Sequence, residues 1–299
     1  MRTKSEARRG LRVYFIVLIA LSAAFEGWTI THGGLGGPYG VLVLPLMYSP
    51  LIASVVARLV GREGFADVSF RWGGITGTRA ALAAWLLPLF VGFVAYGIAW
   101  TAGLAHFTPP ESSQFAGFAD PFVRLLAFIG RALTIGTVLS CLSAFGEEVG
   151  WRGYMVPRLV EAEAPAPYLT SALIWCFWHV PLILWGGYAV GPYPLLSALL
   201  FIAVVTPAGL LYARWRMASG SVWPCVIAHG SWNVLIQSVF DRFTTGEGSA
   251  LWIGESGILT VAAVWIVFLV IRNARWAGMV PAEPARLNPS ARLADTPVA

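Results

Sequence analysis

Charge is scarce in this chain. Only 12% of its 299 residues are Asp, Glu, Lys or Arg, against about a quarter in an ordinary soluble domain. So little charge cannot cover a water-facing surface, which points to lipid as the solvent. The net charge of +5 does not signal nucleic acid. The basic residues are scattered between apolar runs and form no stripe, so nucleic acid is excluded as a partner. Cysteine is nearly absent as well. Cys141, Cys176 and Cys225 each sit in an apolar segment and no C-x-x-C pair exists. That excludes a disulfide framework or a zinc knuckle and leaves small buried hydrophobes. There is no H-E-x-x-H helix. No repeat of about 20–50 residues and no pair of inverted halves stands out, which weighs against a repeat-built transporter. The run Val13 to Phe25 after a basic N-terminus lacks a small-x-small cleavage site, so it reads as a first transmembrane helix rather than a signal peptide.

Apolar residues are abundant: 57% of the chain is hydrophobic, and 14 residues are Trp, a side chain that favours the bilayer interface. A spanning helix needs about 20 mostly apolar residues. Eight candidates run near 12–30, 39–60, 79–104, 122–145, 168–186, 193–213, 222–240 and 250–271. Arg and Lys collect before the first span, in the second, fourth and sixth linkers, and after the eighth, whereas the odd-numbered linkers hold only Arg242. Under the positive-inside rule this places both termini in the cytoplasm. The expected fold is all-α: a polytopic helical bundle in the cell membrane, forming one domain over residues 1–275. Residues 276–299, rich in Pro, Ala and Arg, read as a disordered cytoplasmic tail.

Ionisable residues are costly inside a membrane and are functional candidates for that reason. They gather in three strings. Gly146-Glu147-Glu148-Val149-Gly150-Trp151-Arg152-Gly153-Tyr154 closes the fourth span, Phe177-Trp178-His179-Val180-Pro181 lies in the fifth, and Ala228-His229-Gly230-Ser231-Trp232-Asn233 lies in the seventh. At a rise of about 1.5 Å per residue, His179 lies about 16 Å and His229 about 12 Å from the cytoplasmic ends of their helices. All three strings can therefore meet in the cytoplasmic half of the bilayer. Neighbours on a helix point about 100° apart, so Glu147 and Glu148 cannot share a face. Glu148 and Arg152 stand at i, i+4 in the favourable order for an ion pair, which leaves Glu147 free to act as a base. Pro181 should kink the fifth helix beside His179. His229 and Asn233 share a face and both donate hydrogen bonds; the pair fits an oxyanion hole, a metal-orienting pair or plain interhelical contact.

Those strings resemble the CPBP family, also called Abi, of CAAX-type prenyl proteases and bacteriocin-processing enzymes. Its pattern is E-E-x-x-x-R, an F-x-x-x-H-type element, and H-x-x-x-N or H-x-x-x-D. All three elements occur here in that order between Gly146 and Asn233, on separate expected helices. One position departs: Trp175 stands four residues before His179, where the pattern usually shows Phe. The resemblance implies a glutamic endopeptidase cutting a peptide bond near the cytoplasmic membrane face, with a peptide or protein substrate, lipidated or not. It assigns water activation to Glu147 and His179, oxyanion stabilisation to His229 and Asn233, and support to Glu148 and Arg152. No cofactor is expected. A metalloprotease, with zinc on Glu147, His179 and His229, is the alternative. Two other functions fit the same fold. A non-catalytic scaffold or bacteriocin self-immunity protein would tolerate loss of Glu147. A transporter would need a polar path to the outer face, for which only Glu26 and Arg131 stand out.

Overall fold

The computed structural model describes residues 2–111 and 117–280. The described residues form ten α-helices: α1 (Lys4–Thr31), α2 (Val43–Gly61), α3 (Gly74–Thr101), α4 (Pro121–Arg131), α5 (Thr137–Gly150), α6 (Val156–Glu161), α7 (Pro167–Pro181), α8 (Pro194–Ser219), α9 (Trp223–Trp232) and α10 (Ile258–Ile271). Among the described residues, the only strands are β1 (His106–Phe107) and β2 (Thr244–Thr245), paired antiparallel. Among the described residues, six helical stretches are long and apolar enough to cross a membrane: Lys4–Thr31, Gly40–Gly61, Gly74–Thr101, Pro121–Glu161, Pro167–Gly186 and Pro194–Ser219. Two more apolar segments follow, at the places of the seventh and eighth expected spans. α9 continues into a π-helical stretch, Asn233–Phe240, and carries His229, Asn233 and Gln237, which lower its apolarity. The second is α10.

Several boundaries differ from expectation for identifiable reasons. α1 begins eight residues earlier than 12, because Thr3 and Glu6 form a capping box at Lys4. The fourth stretch does not stop near 145. It runs through Glu147 and Glu148 to Glu161, with π-helical turns at Ala132–Gly136 and Trp151–Met155, so charges that resemble a helix end lie inside a helix. The fifth stretch keeps its axis irregular after Pro181, where a π-helical turn, Leu182–Gly186, replaces the regular pattern. α10 begins at Ile258 rather than near 250, because Ser249–Leu251 forms a 3-10 turn. Residues 276–280 also depart from the expected tail: the Trp215 indole donates to the Ala277 carbonyl at 2.8 Å, docking this segment on α8. The remainder of that tail, with Arg286 and Arg292, lies outside the described residues.

The helix ends sort into two groups. The start of α1, the α2–α3 linker, α6, and the end of α8 meet at one end, through bonds that converge on the linker. Glu63 is bonded by Arg2 at 3.3 Å and by Arg158 at 2.6 Å. Asp67 is bonded by Arg58 and, at 2.5 Å, by Arg158. Arg216 donates to the Asp67 carbonyl at 2.6 Å and to Ser69 at 3.1 Å. Arg58, Arg158 and Arg216 are buried. These arginines, expected as orientation signals, therefore also tie the bundle together at this cationic end. The loops after α1, α3, α7 and the Asn233–Phe240 stretch lie at the opposite end, where β1 pairs with β2.

Burial opposes ionisation of Asp67, but the Arg58 and Arg158 guanidinium groups outweigh it and hold the carboxyl below its ordinary value of 3.8. A depressed folded-state pKa contributes stability above the unfolded value and loses it as pH falls through the folded one. The thermal midpoint of the detergent-solubilised protein should therefore fall as pH drops below about 4, and Asp67→Asn should flatten that part of the curve while lowering the midpoint at neutral pH.

Candidate active site

Close backbone approach sets the position of the two glutamates. A Cβ on Gly150 would meet Pro50 atoms of α2 at 2.3–2.4 Å, and one on Gly146 would meet the Met47 carbonyl and the Tyr48 ring at 2.8 Å. On the other flank, a Cβ on Gly230 of α9 would meet Cys141 Sγ at 2.7 Å and its backbone N at 2.9 Å. Glycine spacing of this kind is how membrane helices approach closely. α5 is thus clamped between α2 and α9 at the level of Glu147 and Glu148.

Glu147 is buried, with 2% of its surface exposed. Two indoles donate to the same carboxylate oxygen, Oε2: Trp175 at 2.8 Å and Trp151 at 3.2 Å. Oε1 is left without such a donor and lies 4.0 Å from His229 Nε2. One oxygen is pinned and the other is presented.

Glu148 points elsewhere, as the 100° step requires. Its Oε1 bonds Arg152 Nη1 at 2.9 Å, with neither side chain exposed. The same oxygen bonds His229 Nδ1 at 2.9 Å. A carboxylate accepts, so Nδ1 carries the proton and Nε2 is turned toward Glu147. The Arg152 guanidinium carbon sits over the Trp175 ring at 4.1 Å and the Tyr212 ring at 4.9 Å. Stacking of this kind suits a weakly hydrated guanidinium. Glu148 therefore has a second partner that helical spacing alone did not reveal.

His179 is fixed in the same manner. Its Nδ1 donates to the Trp175 carbonyl at 2.8 Å, which leaves Nε2 as an acceptor. The ring stacks on Tyr188 with centroids 5.7 Å apart.

Glu147, His179, His229 and Asn233 line one cavity of about 430 Å³. Glu148 and Arg152 stand behind it. The remaining wall includes Leu35, Val43, Leu182, Tyr188, Gln237 and Ser238, all from the end of the bundle opposite the cationic one. The cavity thus extends away from the cationic end, on whose side the glycine contacts between α2 and α5 close the space. The helical stretch that carries the glutamates continues past them to Glu161, so they lie within the bundle rather than at its edge. A shallow lateral groove lined by Leu44, Tyr48, Leu139 and Leu142 shares Ser143 with the cavity, and the Tyr48 hydroxyl donates to the Leu142 carbonyl at 2.6 Å.

Among the described residues, no group of three or more His, Cys, Asp or Glu side chains is arranged to hold a metal ion. The alternative zinc set would use Glu147 Oε1 and the Nε2 atoms of His179 and His229, whose Nδ1 atoms donate to the Trp175 carbonyl and to Glu148 as the second nitrogen of a metal-ligating imidazole does.

Sequence reasoning missed several residues around the site. Trp151 and Trp175 read as interface aromatics but act as donors to Glu147. The signal was present in their spacing, since Trp151 is four residues after Glu147. Trp175 occupies the position where a Phe is usual, and an indole adds a donor that Phe lacks. Glu26, singled out only for a transporter path, is buried with 7% exposure. Asp241 and Glu255 were also passed over, because they fall where a carboxylate is ordinarily solvated.

Residues 129–235 match a family model described as Rce1-like, type II CAAX prenyl endopeptidase Rce1-like. The matched stretch contains Glu147, Glu148, Arg152, His179, His229 and Asn233. No curated protein matches the chain.

Trp175→Phe keeps a ring over Arg152 and removes only the donor to Glu147. A charge-assisted hydrogen bond contributes about 1.5–3 kcal/mol, so the variant should remain folded and lose about tenfold or more in kcat/KM for any peptide the wild type cleaves.

Proposed function

We propose that this multi-pass membrane protein, whose residues 129–235 match the Rce1-like CAAX prenyl endopeptidase family model, is an intramembrane endopeptidase that hydrolyses a peptide bond with water activated by Glu147 and His179. The observation that carries the proposal is the unequal treatment of the two oxygens of Glu147. Indole donors hold Oε2, while Oε1 faces His229 Nε2 across 4.0 Å. A water about 2.8 Å from each can bond both.

In this mechanism the water gives its proton to Glu147 Oε1, with His179 Nε2 as a second acceptor that orients it. The oxygen attacks the carbonyl carbon, and the carbonyl electron pair moves to oxygen. Asn233 supplies a donor to that developing oxyanion, joined by His229 Nε2 in the doubly protonated imidazolium form, whose Nδ1–H is held by Glu148. Collapse of the tetrahedral intermediate breaks the C–N bond, and the proton on Glu147 passes to the departing amine. Glu148 and Arg152 touch no reacting atom and act as positioning residues.

Substrate is a peptide or protein segment in extended form, reaching the cavity from the end opposite the cationic one or laterally through the groove beside Tyr48. Lipidated segments suit that lateral route, because the groove is apolar and faces lipid.

The transporter reading gains one observation, since polar lining continues from Gln237 toward Asp241 and Glu255. On the cationic side, however, Glu148, Arg152 and Tyr212 are packed with at most 3% exposure, which gives a solute no way onward.

The test uses purified wild type and Glu147→Ala with a quenched-fluorescent peptide library that includes prenylated members, with and without chelator. Chelator-resistant cleavage, lost by more than about 100-fold in the variant, is expected for a general base. Activity lost on chelation and restored by zinc would move the mechanism to a metalloprotease. Absence of cleavage by folded wild type would favour the scaffold reading.

A further inference from the structure

A second cavity of about 360 Å³ adjoins the first at the opposite end of the bundle. Tyr188 and Gln237 line both. Its walls carry two carboxylates, Asp241 and Glu255, with Ser256 beside them. Glu255 is buried, at 8% exposure. Its oxygens accept from the Trp232 indole at 2.7 Å and the Gln237 amide at 3.1 Å. Asp241 accepts from the Tyr96 hydroxyl.

What this cluster lacks is a cation. Among the described residues, neither carboxylate has a Lys, Arg or His within ion-pair distance. Two buried carboxylates elsewhere, Glu63 and Glu148, are met by arginine. The Ser256 hydroxyl, at 3% exposure, has no hydrogen-bond partner either. Buried charge is costly unless it is paired, and buried hydroxyls are normally bonded. The cavity therefore presents two acceptor carboxylates and one free hydroxyl to a donor that carries positive charge.

A bare metal ion suits the space badly. The cavity is many times the roughly 30 Å³ share of one water molecule, and no group of three metal-ligating side chains occurs among the described residues. A cation on a long organic stem suits it well. Its position relative to the reacting groups follows from the helix. Gln237 lies eight residues beyond His229, about 12 Å at 1.5 Å per residue. An extended peptide covers that distance in about three to four residues.

Resting on the peptidase reading above, we infer that this second cavity is a subsite for a protonated amine or guanidinium carried by the peptide substrate, held by Asp241 and Glu255 about three to four residues from the scissile bond. Gln237 joins the two cavities, since it is bonded to Glu255 and lines the catalytic one. The chemistry is common to a Lys or Arg side chain and to a free peptide N-terminus.

The experiment measures binding of fluorescein-labelled peptides to the full-length protein in detergent, by anisotropy, and scores their cleavage in parallel. One peptide series carries a single Lys stepped along the chain, each member paired with its Nε-acetyl form. A second pair, without Lys, compares a free with an acetylated N-terminus. The expected result is an affinity about tenfold higher for the charged member of at least one pair, as one buried charge contact provides. That advantage should shrink at about 0.5 M salt and vanish in Asp241→Asn/Glu255→Gln. The pair that shows the effect identifies the source of the amine. Equal affinities in the wild type, or an advantage that survives in a folded double variant, would overturn the proposal. If the double variant does not fold, the wild-type acetylation pairs and their salt response decide the matter. A binding preference without cleavage would remove the peptidase reading and leave the subsite. Cleavage without a preference would remove the subsite and leave the peptidase.

Discussion

Arg152 carries a full charge with no exposed surface, and Glu148, equally buried, meets it at 2.9 Å. Breaking such a pair from one side leaves an isolated charge in a medium of low polarity, at a cost of about 3–5 kcal/mol. The constraint reaches beyond the pair. The oxygen of Glu148 that holds Arg152 also holds His229 Nδ1, so the ion pair decides which imidazole nitrogen faces the cavity. Arg152 in turn lies over Trp175, whose indole reaches Glu147 and whose carbonyl holds His179. One buried guanidinium is linked, within a few contacts, to each ionisable group of the site.

The neighbouring glutamate has the opposite surroundings. Glu147 accepts two neutral indole donors and has no Arg or Lys partner among the described residues. Two adjacent residues on one helix are thus divided between tasks by a 100° turn and by what each face meets: a cation on one side, a cavity on the other. The glycine contacts of α5 with α2 and α9 make this division hold, because they bring three backbones close enough for short side chains to meet.

The spans and the site strings were legible because, in a chain this apolar, each buried ionisable residue stands out. The pairing of Glu148 with Arg152 followed from i, i+4 spacing. Other features were not legible. Indoles at Trp151 and Trp175 cannot be told from interface aromatics without knowing what they face. The continuation of α5 into α6 was hidden by charges that resemble a helix end, and this moved the glutamates deeper into the bundle than expected. Asp241 and Glu255 follow the seventh helix and precede the eighth, where nothing in the sequence distinguishes a buried acid from a solvated one.

The account rests on separate duties for the two glutamates, and a comparison of Glu147→Gln with Glu148→Gln, reading thermal stability and peptide cleavage on the same preparations, tests it most directly. Glu147→Gln should unfold at or above the wild-type temperature, since it removes a buried charge without an Arg or Lys partner, and should have no activity. Glu148→Gln should lose about 3–5 kcal/mol of stability, because Arg152 is stranded. A Glu147→Gln protein that still cleaves, or a Glu148→Gln protein as stable as the wild type, would contradict the account.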